Sequence, residues 1–418
     1  MKKYILIILC CLTSFPLWSY NVNMIVEHYS VDQGLPNNTV NCTLKDRDGF
    51  IWFGTWYGLC CFDGVKFKTF NKQEHDSDVP PRKIQRIVED KNGYIWVKTI
   101  DRKLYVFNKV TECFHAVYDD MKNYSENIQV IKLQNTAEGD VLLLTKDKNL
   151  LLAGVDEKGQ VTIKILFDSR DEINKHDYTL KHHVLCETEE YISWIGTDYK
   201  VSAVHKGAEL ASRPADFITS KINSGDKDSF TSFFEDGRKV WVGDRAGIFY
   251  SIDVRTGLVN RYVLSEIKGA ISNLLVTPAG YVYLSVAGQG TYEYDLAERR
   301  LQKINTEMND AMVTHAFIDQ YDKIWFHENE KALIYYDPLN HTAKRFPFTM
   351  FGKITTLYSE DAGERGLFFL SPAGEAWLFD REHAEMVYIN KLKQLSNDRA
   401  NQQFYHLMLD NDGVLWLS

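Results

Sequence analysis

Proline is scarce in this chain, at 9 of 418 residues, and no window keeps the 3.6-residue spacing of an amphipathic helix. Helical solenoids are therefore poor candidates. Basic residues do not cluster either: 48 Lys and Arg stand against 57 Asp and Glu, for a net charge of -9. A nucleic-acid partner needs a basic patch, so the composition argues against that class. Cysteine is limited beyond the first twenty residues to Cys42, Cys60, Cys61, Cys113 and Cys186, with no CxxC spacing. An odd number without that spacing argues against a disulfide framework or a zinc site, and predicts buried free thiols. Nucleophile elbows, phosphate loops and metal-ligand signatures are missing as well. No catalytic residue, metal or cofactor is expected. The one apolar run of note, Tyr4 to Leu12 behind Lys2 and Lys3, is too short to span a bilayer comfortably. It reads as a secretory leader over 1–20, cleaved before Asn21 or Asn23. An uncleaved anchor is the alternative. Leu9, large where a small residue is wanted, argues against a lipoprotein site at Cys10 or Cys11.

Aromatics are what the chain has in quantity: 9 Trp, 23 Tyr and 23 Phe. Bulky side chains in many short strands fit that usage. They also mark a repeat. Asp46-Arg-Asp-Gly-Phe-Ile-Trp-Phe-Gly-Thr55 returns as Glu89-Asp-Lys-Asn-Gly-Tyr-Ile-Trp-Val-Lys-Thr99, and weaker copies follow. Their anchors are Trp52, Trp96, Leu143, Trp194, Trp241, Tyr283, Trp325, Phe368 and Trp416, spaced 42–51 residues apart. That is the length of one four-stranded propeller blade. Within the first copy, strands are predicted at 39–45, 50–55, 59–62 and 65–70, with turns at Asp46 to Gly49 and Asp63-Gly64. The second copy predicts strands at 84–89, 94–99, 103–107 and 113–117. The fold class is all-β: a β-propeller of four-stranded blades.

A blade cannot bury both faces alone, so blades must close into a ring. Seven anchors fill 22–348 as a first, seven-bladed propeller, and 349–418 would then open a second; one larger or irregular ring is the alternative. Glu27 to Ser30 looks like an outer strand that could clasp the ring. The ninth copy stops inside its second strand at Ser418, which predicts a truncated piece of a longer protein.

Residues that recur in every copy are scaffold, and function should sit where copies differ. The acidic turn residues Asp46, Asp48, Glu89, Asp90, Asp319, Asp322, Asp410 and Asp412 are read as hairpin caps rather than acid–base groups. His182-His183 would point to opposite faces of a strand, so the pair is not a metal site. In a propeller the second turn of each blade and the links between blades share one face, over the central channel. The candidates there are Trp56, Tyr57, Arg102, Tyr199, Lys200, Arg245, Gln289 and Glu328. Aromatic planes beside charged side chains fit stacking on sugar rings and hydrogen bonds to hydroxyls, and the cations fit an anionic glycan.

The pattern Asp-x-x-Gly-Phe/Tyr-Ile-Trp, followed by Gly-Leu and an Asp-Gly turn, resembles the two-component regulator-propeller repeat. The lead-in Tyr29-Ser-Val-Asp-Gln-Gly-Leu-Pro-Asn-Asn-Thr-Val40 is similar to the start of periplasmic sensor regions of hybrid two-component systems of Bacteroidetes. The resemblance implies a periplasmic, ligand-sensing input region, homodimeric in its parent protein. The family's membrane helix, histidine kinase and response regulator have no counterpart here. No membrane contact is therefore expected of this region itself. The competing reading from the residues is an exported propeller enzyme, a glycan lyase or hydrolase; a third is a plain scaffold for a protein ligand.

Overall fold

The computed structural model of the chain describes residues 27–70, 72–73, 80–121, 129–146, 149–167, 185–188, 190–195, 200–207, 217–221, 230–304, 313–328, 331–351, 358–371, 373–391, 407–409 and 414–417. The leader at 1–20, His182, His183 and Tyr199 lie outside these. Among the described residues no helix is long and apolar enough to cross a membrane.

The strands follow the repeat closely. Val40–Lys45, Ile51–Thr55, Gly58–Phe62 and Phe67–Phe70 pair in chain order as an antiparallel sheet. Ile84–Glu89, Ile95–Thr99, Leu104–Asn108 and Cys113–Ala116 form the second sheet, with Lys72–Gln73 added parallel to its outer strand. Six further four-stranded sheets repeat the order, and Leu407–Leu409 with Leu415–Leu417 makes a final two-stranded hairpin. The second strands Ile51–Thr55, Ile95–Thr99 and Val141–Thr145 are buried at every position, because sheets cover both of their faces. Aspartate shapes the turn before the first two of these strands, and Thr136 the turn before the third. Asp46 Oδ1 accepts from the backbone of Asp48 and Phe50, and Gly49 takes the positive φ that closes the turn.

Each sheet shares an apolar core with the next. Trp52 and Phe70 meet Ile84 and Phe107, Trp96 meets Leu133 and Leu143, and Trp241 and Phe249 meet Leu284 and Tyr294. Tyr283 then meets Phe326 and Tyr336, and Trp325 meets Phe369 and Phe379. A fully buried aromatic of this size is worth about 3 kcal/mol or more against truncation to alanine. Leu370 packs toward Leu407, and Trp416 returns to Phe53 and Phe62 of the first sheet, at ring separations of 5.7 and 5.8 Å. The boundary drawn at 348/349 coincides with no break in packing, since Phe346, Phe348 and Phe351 join the core that the seventh and eighth sheets share.

One expectation is corrected here. Glu27 to Ser30 is not a strand. Ser30 instead caps a short 3-10 turn, Val31–Gln33, in a reciprocal pairing with Gln33. The Tyr29 ring still bridges the two ends, lying 5.0 Å from Phe62 and 6.4 Å from Trp416.

Candidate functional site

The two rims of the stacked sheets differ in chemistry. On one lie the first and third turns of each sheet. There Asp46, Asp90, Asp236 and Asp319 each accept the indole N–H of Trp52, Trp96, Trp241 and Trp325, at 2.8, 2.9, 2.7 and 3.2 Å. These aspartates are caps, as their repetition implies. Cations from the third turn add cross-links. Lys109 Nζ lies 3.1 Å from Asp46, 2.7 Å from Asp48 and 2.8 Å from Glu89. Those three carboxylates have metal-ligand spacing, but an ammonium occupies their centre. Lys206 joins Glu138 and Glu187, and Arg381 joins Asp319 and Asp361, at equivalent places in the fourth and eighth sheets. The carboxylates hold Lys109 and Lys206 above the ordinary lysine range, against the pull of burial, and Lys109 holds Asp48 below the usual carboxylate range. A cleft of about 410 Å³ opens beside Lys206, lined by Glu138, Asp140, Glu190 and His205. Cys42, Cys60, Cys61 and Cys113 are buried free thiols. Burial pushes Cys42 and Cys61 up to about 12, so they are inert.

The opposite rim carries the second turns and the links between sheets. Backbone bonds tie them together: Lys83 donates to the Trp56 carbonyl, Ile100 to Lys83 and Val130 to Arg102. Most of the expected candidates sit on this rim. Trp56 is 39% exposed, with the Lys83 ammonium 5.3 Å from its ring, and Tyr57 beside it is 59% exposed. Arg102 is exposed at a φ of 67°, and Arg245 is exposed in the turn after Lys239–Asp244. Lys200 begins the strand Lys200–His205. Gln289 spends its amide locally, accepting from Lys268 N and donating to Glu266 O. Glu328 needs correction: it is buried, ends the strand Ile324–Glu328, and pairs with Arg345 at 2.9 Å. Arg345 comes from the fourth strand, where sequence spacing alone could not reveal it.

Two features of this rim were not anticipated. The first strand bulges at the same place in six sheets, at Asn41, Gln85, Ile131, Thr231, Ser272 and Thr314. A bulge re-aims side chains. Asn41 donates to the Ile84 carbonyl of the next sheet and Thr231 to that of Ile271.

The second feature is Lys98. It occupies the place of Gly54 and Gly243 in their copies. A Cβ at Gly54 would lie 2.5 Å from Ile84 Cγ2, and one at Gly243 2.7 Å from Ile271 Cγ2, because the next sheet approaches there. Lys98 is only 7% exposed, and its Nζ donates to Gln85 Oε1 at 2.7 Å. Burial, then Arg102 and Arg86, pull its amine below the ordinary lysine range.

Stacked four-stranded antiparallel sheets of this connectivity define a β-propeller. Residues 34–57, the lead-in and first hairpin, match the family model described as two component regulator propeller. The chain carries that repeat. Comparison with curated proteins returns no match. Among solved structures, the extracellular domain of a putative hybrid two component system from B. thetaiotaomicron is 14% identical, with a TM-score of 0.40 over 92% of this chain and 64% of that one. A second such domain from the same organism is also 14% identical, with a TM-score of 0.36 over 94% and 57%. Virginiamycin B lyase from Staphylococcus aureus is 8% identical, with a TM-score of 0.36 over 68% and 90%. The chain thus spans less than two thirds of the two extracellular domains.

Proposed function

We propose that this chain is a periplasmic ligand-sensing input region of a hybrid two-component sensor, and that its ligand is an oligosaccharide held on the loop rim. The regulator-propeller repeat at 34–57 supports the sensor class. The observation that carries the ligand class is Trp56: an exposed indole with a cation over one face and Tyr57 next to it. Exposed aromatics beside charged groups give a sugar both a stacking plane and hydrogen bonds. Export through the leader at 1–20, homodimerisation and a kinase carried by further parts of the parent protein belong to the same reading. A bound sugar signals only by preferring one of two states of that assembly.

Calorimetry against a panel of neutral and acidic oligosaccharides tests it. One of them should bind saturably, with an affinity that falls about tenfold or more in Trp56→Ala, as loss of a central aromatic contact predicts. Binding that ignores Trp56, or release of shortened products from an incubated polysaccharide, would overturn this assignment.

A further inference from the structure

Lys98 and Arg86 are direct partners across the first and second strands of the second sheet. Alternation puts them on the face that carries Val88 and Trp96, and that face packs against the third sheet. Arg102 stands in the adjoining turn, whose carbonyl accepts from Val130 at the start of the third sheet. Three cations therefore converge at the loop-rim end of one junction. Lys98 forms the nearly buried floor, and the exposed Arg86 and Arg102 form the lip.

Among the described residues no carboxylate pairs with any of the three. Asp101, the nearest acid in the chain, is engaged by the Thr99 hydroxyl at 2.5 Å and by Lys103 at 3.6 Å. Its own neighbours hold it. A buried ammonium whose hydrogen bond goes to a neutral amide is costly, and such groups are ordinarily paired. Among the described residues the junction cations Lys109, Lys206 and Arg381 reach carboxylates, and Lys164 donates to the Lys206 carbonyl. Lys98 also stands where two other copies need glycine. Lys98 stands on the rim proposed above for the ligand.

We infer that Lys98, Arg86 and Arg102 form an anion-recognition site, which takes a carboxylate or sulfate group of the bound ligand. The inference rests on the oligosaccharide reading for the rest of that ligand, and it adds that the sugar is acidic. Lys98 supplies a desolvated point charge and the two guanidinium groups supply forked donors, a set that matches a planar carboxylate or a tetrahedral sulfate.

The full chain serves for the test. Thermal unfolding is followed in sodium sulfate and in sodium chloride at equal ionic strength. Calorimetry then uses a uronic-acid disaccharide and its methyl ester. Sulfate raises the midpoint of any folded protein by its exclusion from the surface, so the midpoint should rise in both proteins and rise further in the unsubstituted protein than in Lys98→Met. The acid should bind about tenfold or more tightly than the ester, a gap that Lys98→Met abolishes and Arg102→Gln narrows. Lys98→Met removes a buried charge and keeps the side-chain volume, and Arg102→Gln changes an exposed residue, so both variants should fold. A sulfate response absent from all proteins, or equal in all, overturns the site. If acid and ester bind alike while Trp56 still matters, the anion site fails and the oligosaccharide reading survives. If sulfate acts through Lys98 but no sugar binds, the anion site stands and the oligosaccharide reading fails.

Discussion

At the scale of single residues, the aspartates before four of the second strands have a double task. Asp90 accepts from the backbone of Asn92 and Tyr94 with one oxygen and from the Trp96 indole with the other. Asp90→Ala strands these donors next to a buried ring and should cost about 3 kcal/mol. A double-mutant cycle with Trp96→Phe, followed by denaturant unfolding, should return a coupling of about 1 kcal/mol or more. The cap was legible in the sequence, because acidic residues recur at these turns; its bond to the indole was not, and Thr188 holds the same place before Trp194. Lys98 was harder to see. A lysine in a strand reads as solvated; the usable signal was that glycine holds the same place in other copies. Its lowered pKa makes a signed prediction. The folded state disfavours the ammonium, so the unfolded chain binds more protons between that lowered value and 10.5. Relative to Lys98→Met, stability should therefore rise with pH across that window, as read by midpoint against pH.

At the scale of elements, strands were legible to within a residue or two because apolar runs and glycine turns are local signals. Ile84–Glu89 was found as predicted, and Phe67–Phe70 begins two residues late. What joins neighbouring sheets was not legible. The residues flanking the Lys109 position carry no distinctive pattern, and its three carboxylates come from two copies. Lys109→Met leaves the fully buried Asp46 carboxylate without its counter-ion, while Glu89 keeps Arg47 at 3.2 Å, and should cost about 3 kcal/mol. The sign in acid follows from Asp48, whose folded pKa is depressed. Its contribution is present above the unfolded carboxylate value of 3.8 and fades as pH falls through the lowered one. Above neutrality the cross-link persists until the raised lysine titrates. The close approach at Gly243 gives a complementary expectation. Gly243→Ala must displace Ile271 and Ser232 and should cost about 1–3 kcal/mol by chemical denaturation.

At the scale of the molecule, the period announced the fold class, since nine copies of one blade length leave few architectures. Which blades meet was not announced. Copies resemble one another, so the sequence does not mark the junction where a ring closes. A seven-bladed ring ending at 348, with a second ring beyond it, remains our proposal for the domain division. The contacts of Trp416 with Tyr29, Phe53 and Phe62 offer its test. If the two rings are independent, Trp416→Ala leaves the unfolding of the first sheets unchanged. If the hairpin at 407–417 seals the first sheet, the same variant lowers stability by about 2 kcal/mol or more. Hydrogen exchange at Phe53 and Phe62 distinguishes the two.

The ion pairs of Lys109, Lys206 and Arg381 all lie on the turn rim, whereas the bonds between neighbouring sheets on the loop rim are largely neutral among the described residues, as from Asn41 and Thr231. Such a stack has one edge riveted by charge and one tied by neutral bonds. A guest that pried the neutral edge apart would tilt the blades about the rivets, as petals tilt about a calyx. A small spreading on one side would then become a change of cone angle for the whole corolla.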